Sequence, residues 1–431
     1  MRIKYFFYYF LISSLLIPTS NTQEKRLLKF KIESFLPSHN YNKSFLPSFK
    51  IHINAIENLK GKLLIKLKRI NENNFRDVYI KKTKVIKGEN VFQISENEFQ
   101  FSNLSTEFYE IYSQFLTSDT KYTSDTLTFV INIDSLRYPR FKPPDFDSFW
   151  SNTFSKLDSI EPNYKIDTLC DKWTEQISIY KVSFSGLDSM TIKAWYCIPK
   201  GVNKVPAVLV LPSYGNGPIT IPYNFCEQGY AALALQIHGK DVESDTYPVG
   251  DDPSAGLNLN NPEKYYLKHA VAHIKRAIDF LYSIPEIDTN RIGVAGTSQG
   301  GGLALLITGL DRRIKATAAT IPTLICYTQA LESGAYWRIK RAIKNGLVDE
   351  KTALHTLSYF DASNLTEKFN QPVMLSAHYK DRISPPNTII SFYNQLQINN
   401  KQLLTQPELG HQFPEHHWDI TTEWLKVIFK M

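Results

Sequence analysis

Cysteine is scarce: the chain has 4 in 431 residues, and Cys170, Cys197, Cys226 and Cys326 are far apart, with no C-x-x-C and no nearby histidine pair. That spacing excludes the usual zinc frameworks and a disulfide-dense scaffold. The four are expected as small buried hydrophobes, with no metal and no disulfide. No stretch after the N-terminus reaches the roughly 20 apolar residues of a membrane-spanning helix. Runs of one charge are missing as well. The net charge of +7 sits mostly in residues 24–140, which hold 19 Lys and Arg against 13 Asp and Glu, while residues 141–431 hold 28 against 29. Bases such as Lys62, Lys66 and Lys68 are dispersed along alternating segments and are not interleaved with aromatics. This is the pattern of a solvated face, and no nucleic-acid partner is expected. A hydrophobic fraction of 43% with 21% charged residues excludes a disordered or collagenous chain.

What is present divides the chain in three. Residues 1–22 open with Arg2 and Lys4, continue without charge from Tyr5 to Ile17, and break at Pro18 into small polar residues. This is the layout of a signal peptide, which implies export to a periplasm or the cell exterior. Residues 23–138 follow period two, as at Ile51 and Ile53, Leu63, Ile65 and Leu67, and Phe129, Ile131 and Ile133. They predict a small β-sandwich. Tyr109, Tyr112 and Phe115 within it stand at helix-like spacing and suit a core better than a sugar platform. A proline-rich connection, Leu136 to Pro144, leads into residues 139–431. There, short apolar strands (Val205 to Leu211, Ala231 to Ile237, Ile292 to Ala295, Val373 to Ala377) alternate with amphipathic helices, as at Lys264 to Ile284. The fold class is therefore α/β, with a mostly parallel sheet covered on both faces.

Chemistry concentrates at Gly296-Thr297-Ser298-Gln299-Gly300. A strand-like run precedes this G-x-S-x-G and a helical run follows it, the setting in which the motif lifts a serine hydroxyl onto a tight turn. A serine needs a base, and the base needs an orienting carboxylate. In the chain order that goes with this motif, Asp381 just beyond the Val373 strand and His411 before the last helix are the candidates. His416 and His417 compete weakly. The oxyanion donors expected are the backbone N–H groups of Gln299 and of Tyr214, on the loop after the Val205 strand.

These residues resemble carbohydrate esterase family 7, the acetyl xylan esterases and cephalosporin C deacetylases. The resemblance runs from about Pro139 to the C-terminus. It is carried by Lys142 to Trp150 (KPPDFDSFW), by Gly296 to Gly302 (GTSQGGG), by Thr356 to Asp361 (TLSYFD) and by Asp381 to Pro386 (DRISPP). It implies an α/β-hydrolase that removes acetyl groups from sugars without metal or cofactor, and a homo-oligomer of the trimer-of-dimers kind. Three motifs depart from the family: His238-Gly239-Lys240 stands for Arg-Gly-Gln, His411-Gln412 for His-Glu, and Pro212-Ser213 for His-Gly. These bear on substrate fit and assembly. Two other readings compete: a peptidase of the prolyl oligopeptidase kind, which shares the order of the three residues but normally carries a propeller whose repeat is missing here, and a glycan-binding module with a decayed hydrolase.

Overall fold

The computed structural model describes residues 28–42, 44–95, 104–215, 217–244, 254–413 and 416–431. The expected leader, residues 1–22, lies outside them. Among the described residues nine strands form the N-terminal part: β1 (Leu28–Ser34), β2 (Asn40–Tyr41), β3 (Phe49–Ala55), β4 (Leu59–Arg69), β5 (Arg76–Val85), β6 (Gly88–Ile94), β7 (Glu107–Leu116), β8 (Lys121–Thr123) and β9 (Leu127–Ile131). Alternation decides which face is buried. In β3, Phe49, Ile51, Ile53 and Ala55 point inward while Lys50, His52 and Asn54 do not. One sheet runs β1-β3-β6 and the other β2-β9-β7-β4-β5, with β8 beside β7. Ile51, Ile53, Leu63, Ile65, Phe115 and Phe129 share the core between them. Tyr109, Tyr112 and Phe115 lie on strand β7 and not on a helix. Tyr109 and Phe115 are buried in that core, and Tyr112 packs edge-on against Phe75 with ring centres 4.6 Å apart.

The second part holds a nine-stranded sheet: β10 (Lys165–Thr168), β11 (Ile177–Ser185), β12 (Thr191–Pro199), β13 (Val205–Leu211), β14 (Ala231–Gln236), β15 (Ile287–Thr297), β16 (Ala316–Thr320), β17 (Val373–His378) and β18 (Lys401–Gln406). Their order is β10-β11-β12-β14-β13-β15-β16-β17-β18, and every pairing from β14 to β18 is parallel. Its helices are α1 (Phe146–Asp158), α2 (Tyr223–Glu227), α3 (Tyr266–Ser283), α4 (Gln299–Leu310), α5 (Tyr327–Glu332), α6 (Trp337–Lys344), α7 (Glu350–Ser358), α8 (Pro386–Gln395) and α9 (His417–Phe429). Both faces of the sheet are covered, so its central strands are apolar throughout. Leu209 and Val294 pack on one side with Ile274 of α3 and Leu306 of α4, while Val208 and Ala295 pack on the other with Leu425 and Phe429 of α9.

Two of the segments that carried the family resemblance interlock. The Trp150 indole N–H donates to the Tyr359 carbonyl at 3.1 Å, and the Tyr359 hydroxyl donates to Asp145 at 2.6 Å. Asp361 pins a third segment, its carboxylate accepting the backbone N–H groups of Cys326, Tyr327 and Ser363. Cys197 and Cys226 meet in the core with sulfurs 2.7 Å apart; Cys326 is buried elsewhere and Cys170 is exposed. Among the described residues no helix is long and apolar enough to cross a membrane.

Burial works against protonation of three histidines. Burial pushes His273 down to about 3 from its ordinary 6.5, and it lowers His39 and His378 for the same reason. Between those values the unfolded chain takes up protons that the folded chain refuses. Stability is therefore complete above about 6.5 and declines as pH falls toward 3. For His273 alone the loss from pH 7 to pH 5 is about 2 kcal/mol. Urea unfolding at the two pH values should show it. In His273→Asn, which keeps an N–H for the Ile237 carbonyl that His273 Nδ1 now reaches, the pH dependence should shrink by that amount; an unaltered dependence would refute the assignment.

Candidate active site

Strand β15 ends at Thr297 and helix α4 begins at Gln299, so Ser298 alone makes the turn, with φ 55° and ψ −117°. For a residue with a Cβ this backbone costs on the order of 1–3 kcal/mol and persists only where its surroundings enforce it. Here they do. The Ser298 N–H donates to the Thr320 carbonyl at 2.9 Å, and the Ser298 carbonyl accepts from Gly302 and Thr323 at 3.1 and 3.0 Å. Gly296 and Gly300 are required sterically. A Cβ on Gly296 would lie 2.3 Å from the Gly300 carbonyl, and one on Gly300 would lie 2.3 Å from the Leu211 carbonyl oxygen.

His411 stands over this turn with Nε2 3.0 Å from Ser298 Oγ and Nδ1 2.8 Å from Asp381 Oδ2. Three residues separated by 113 and 30 positions are thus brought into one hydrogen-bonded line. With Nδ1–H donating to the carboxylate, the lone pair on Nε2 accepts the serine hydroxyl. Asp381 is 1% exposed, and its other oxygen accepts the backbone N–H groups of Ile383 and Ser384, both at 2.8 Å. The buried charge is therefore fully hydrogen-bonded.

The turns carrying acid and base are fastened to each other. Tyr379 N–H donates to the Gln406 carbonyl and Lys380 N–H to the Leu409 carbonyl, both at 3.0 Å. His378, fully buried, donates from Nδ1 to the Gly410 carbonyl at 2.9 Å, directly before His411. The N-terminal β domain grips the same turns. Phe108 of β7 packs edge-on against Tyr379 with ring centres 5.0 Å apart, and Glu110 of β7, itself buried, pairs with Arg382. Glu408 bridges Lys380 at 2.5 Å and His39 at 3.5 Å. Arg382 thus turns away from its neighbour Asp381.

Gln299 is the first residue of α4, where backbone N–H groups have no carbonyl a turn back to receive them. Its side chain is held by Tyr266, whose hydroxyl donates to Gln299 Oε1 at 2.7 Å, and His238 stacks on Tyr266 at 5.8 Å. Tyr214 follows Ser213, whose hydroxyl donates to the Thr297 carbonyl at 3.1 Å, so the loop is tied to the residue before Ser298. The Arg338 guanidinium lies 5.0 Å from the Tyr214 ring centre. His416 is exposed and paired with Asp419. Tyr266, His378 and Glu110 escaped the sequence reading because none sits in a motif; Arg382 lies inside the Asp381 to Pro386 segment, but nothing in that segment announces its distant partner Glu110. Among the described residues no group of three or more His, Cys, Asp or Glu could hold a metal ion.

Comparison with known proteins places the chain. The profile of the acetyl xylan esterase (AXE1) family matches residues 130–427. The acetyl esterase Axe7A of Xylanibacter ruminicola is 28% identical over 276 residues, covering 61% of this chain and 62% of that protein, so the chain spans about three fifths of its relative's length. Among solved structures, the acetyl xylan esterase from Paenibacillus sp. R4 superposes with a TM-score of 0.63 at 29% identity, covering 68% of this chain and 98% of that one. Acetyl xylan esterase 1 from Thermoanaerobacterium sp. JW/SL YS485 superposes with a TM-score of 0.62 at 21% identity, over 69% of this chain and 98% of its own, and shares the fold.

The grip on the acid turn can be tested through Ser298 itself. Arg382→Ala should slow phosphonylation of Ser298 by a fluorophosphonate about tenfold, because small displacements of a positioned group are costly, whereas Arg382→Lys should recover most of the rate. Mass spectrometry of the labelled peptide over time measures both. Equal labelling in wild type and Arg382→Ala would show the ion pair to be without influence on the site.

Proposed function

Because the chain belongs to the acetyl xylan esterase family, we propose that it is a serine carboxylic ester hydrolase that removes acetyl groups from acetylated sugars. The observation that carries the mechanism is the line from Ser298 Oγ through the His411 ring to Asp381. Ser298 Oγ attacks the acetyl carbonyl while His411 Nε2 takes its proton and returns it to the departing sugar oxygen. Asp381 holds the imidazole in the tautomer that leaves Nε2 unprotonated and stabilises the imidazolium as it forms. Water, activated by the same imidazole, then attacks the acetyl-serine and releases acetate. The backbone N–H groups of Gln299 and Tyr214 receive the negative oxygen of each tetrahedral intermediate, and a donor of this kind contributes about 100- to 1000-fold in rate.

The family match and the Axe7A relative support acetyl as the acyl group and a sugar as the alcohol. The basic start and uncharged run of residues 1–22 support export. The peptidase reading gains nothing from the structure, since the N-terminal part is two small sheets and not a propeller.

Ser298→Ala should lower turnover of 4-nitrophenyl acetate and of acetylated xylo-oligosaccharides by about 10⁴-fold or more, with an unaltered circular dichroism spectrum; wild-type-like turnover would sink the proposal. Asp381→Asn should cost about 10⁴-fold, since the amide favours the wrong tautomer. His411→Ala should cost about as much as Ser298→Ala, because the hydroxyl then has no base to take its proton. Wild-type-like turnover in that variant would remove His411 as the base. Parallel assays on acetate, propionate and butyrate esters should show acetate fastest.

A further inference from the structure

The dispersed lysines of the N-terminal sequence are gathered by the strand register. Strands β4 and β5 pair antiparallel with Lys60 opposite Lys84 and Lys62 opposite Lys82. Residues directly opposite, and two apart along a strand, point to one face, so all four ammonium groups share it. All four are exposed, and with Leu116 and Ser118 at the end of β7 they line a groove of about 650 Å³.

Like charges placed opposite each other on neighbouring strands destabilise a sheet, and this one does it twice in succession. Among the described residues none of the four has a carboxylate partner, whereas further along the same face Lys66 pairs with Asp77 at 2.5 Å and Lys68 with Glu110 at 3.2 Å. Lysines on an edge strand discourage edge-to-edge association, and β5 is an edge. That accounts for Lys82 and Lys84 but not for Lys60 and Lys62, on the interior strand β4.

We propose that this groove binds a carboxylate-bearing polysaccharide. Four unpaired ammonium groups around a concavity focus a positive potential that selects a polyanion. The lining is lysine, threonine, serine, glycine and leucine, with no aromatic ring on which a nucleobase could stack, while the exposed hydroxyl of Ser118 suits a sugar hydroxyl. That the polyanion is a glycan rests on the esterase reading; that it is anionic rests on the groove alone. The same face of β4 continues through Leu64 and Lys66 to Lys68, whose partner Glu110 holds Arg382 beside Asp381. Six residues of strand separate Lys62 from Lys68, about 20 Å. A chain docked in the groove therefore keeps its neighbouring sugars at a high effective concentration near Ser298.

The test is native affinity electrophoresis of the full chain in gels containing polygalacturonate, neutral xylan, single-stranded DNA or no polymer, with flotation on phosphatidylglycerol vesicles alongside. A variant with Lys60, Lys62, Lys82 and Lys84 all changed to Gln is run in parallel. The wild type should be retarded by polygalacturonate more than by xylan, with affinity falling about tenfold when salt shortens the screening length from about 30 to 10 Å. The variant should lose at least about tenfold in affinity while its melting temperature stays equal or rises, as relief of repulsion requires, and its turnover of 4-nitrophenyl acetate is unaltered. No retardation of the wild type, equal retardation of the variant, or stronger binding to DNA or to vesicles would each overturn the proposal. Loss of ester turnover in both proteins would refute the esterase reading and leave the binding result standing.

Discussion

The structure depends on one sharp turn. Ser298 occupies a backbone conformation that a side chain disfavours, and it does so because Gly296, Gly300 and the Leu211 carbonyl approach one another more closely than any Cβ would permit. Three parallel strands, β13, β15 and β16, converge on that contact. Leu211 ends the first, Thr297 the second, and Thr320 of the third accepts the Ser298 N–H. The strain of a few kcal/mol is sustained by a sheet apolar on both faces, whose cores extend from α3 and α4 on one side to α9 on the other. A turn held this way cannot relax by moving the serine alone. The hydroxyl is therefore presented in a fixed place, and the partners must be brought to it.

Bringing the partners is the work of the loops after β17 and β18, and these loops have little structure of their own. They are stiffened twice. Backbone bonds from Tyr379 and Lys380 to the β18 side join them to each other, and His378 ties the step before His411. The β domain then presses on the outer side through Phe108, Glu110 and His39. The Paenibacillus structure is matched over 98% of its length by only 68% of this chain, so that shared fold is complete without a counterpart to the remainder. The β domain, which lies outside residues 130–427 matched by the family profile except at its last residues, is part of the support of the site.

The junction has its own logic of burial. Glu107 lies inside it, its acidity weakened by loss of solvent, and its oxygens accept the Tyr138 hydroxyl at 2.6 Å and the Phe108 N–H at 2.8 Å. Tyr138, at the end of the connection between the domains, in turn accepts from Asn387 at the start of α8. A buried acid with satisfied oxygens adds directional bonds where apolar contact alone would let the domains slide. The connection that composition marked as extended is accordingly pinned along its first half. Arg140 bonds Thr366 and Glu367, and Asn394 takes the carbonyls of Ile133 and Leu136.

What the sequence disclosed and what it withheld follow from the range of the forces involved. The elbow was legible because its constraint is local: two glycines flanking a serine between a strand and a helix have few other uses. Asp381 and His411 were candidates through chain order, and the structure sets the His411 ring between Asp381 and Ser298. Strand β16, Ala-Thr-Ala-Ala-Thr, was missed because its residues are too small to read as an apolar run, although every one is buried; it takes its strand state from β15 and β17 on either side. The aromatics of β7 were given a helical spacing because residues 109, 112 and 115 fit that period by coincidence, and only cross-strand pairing with β4 and β9 decides the matter. The lysines show the limit most clearly. Lys62 and Lys82 are twenty positions apart and each looks like part of a solvated face, yet a register shifted by one residue would turn one strand's lysines to the opposite side of the sheet. Register is set by Leu63, Ile65 and Val85 fitting the core, so the charge pattern of the outer face is dictated by the apolar pattern of the inner one.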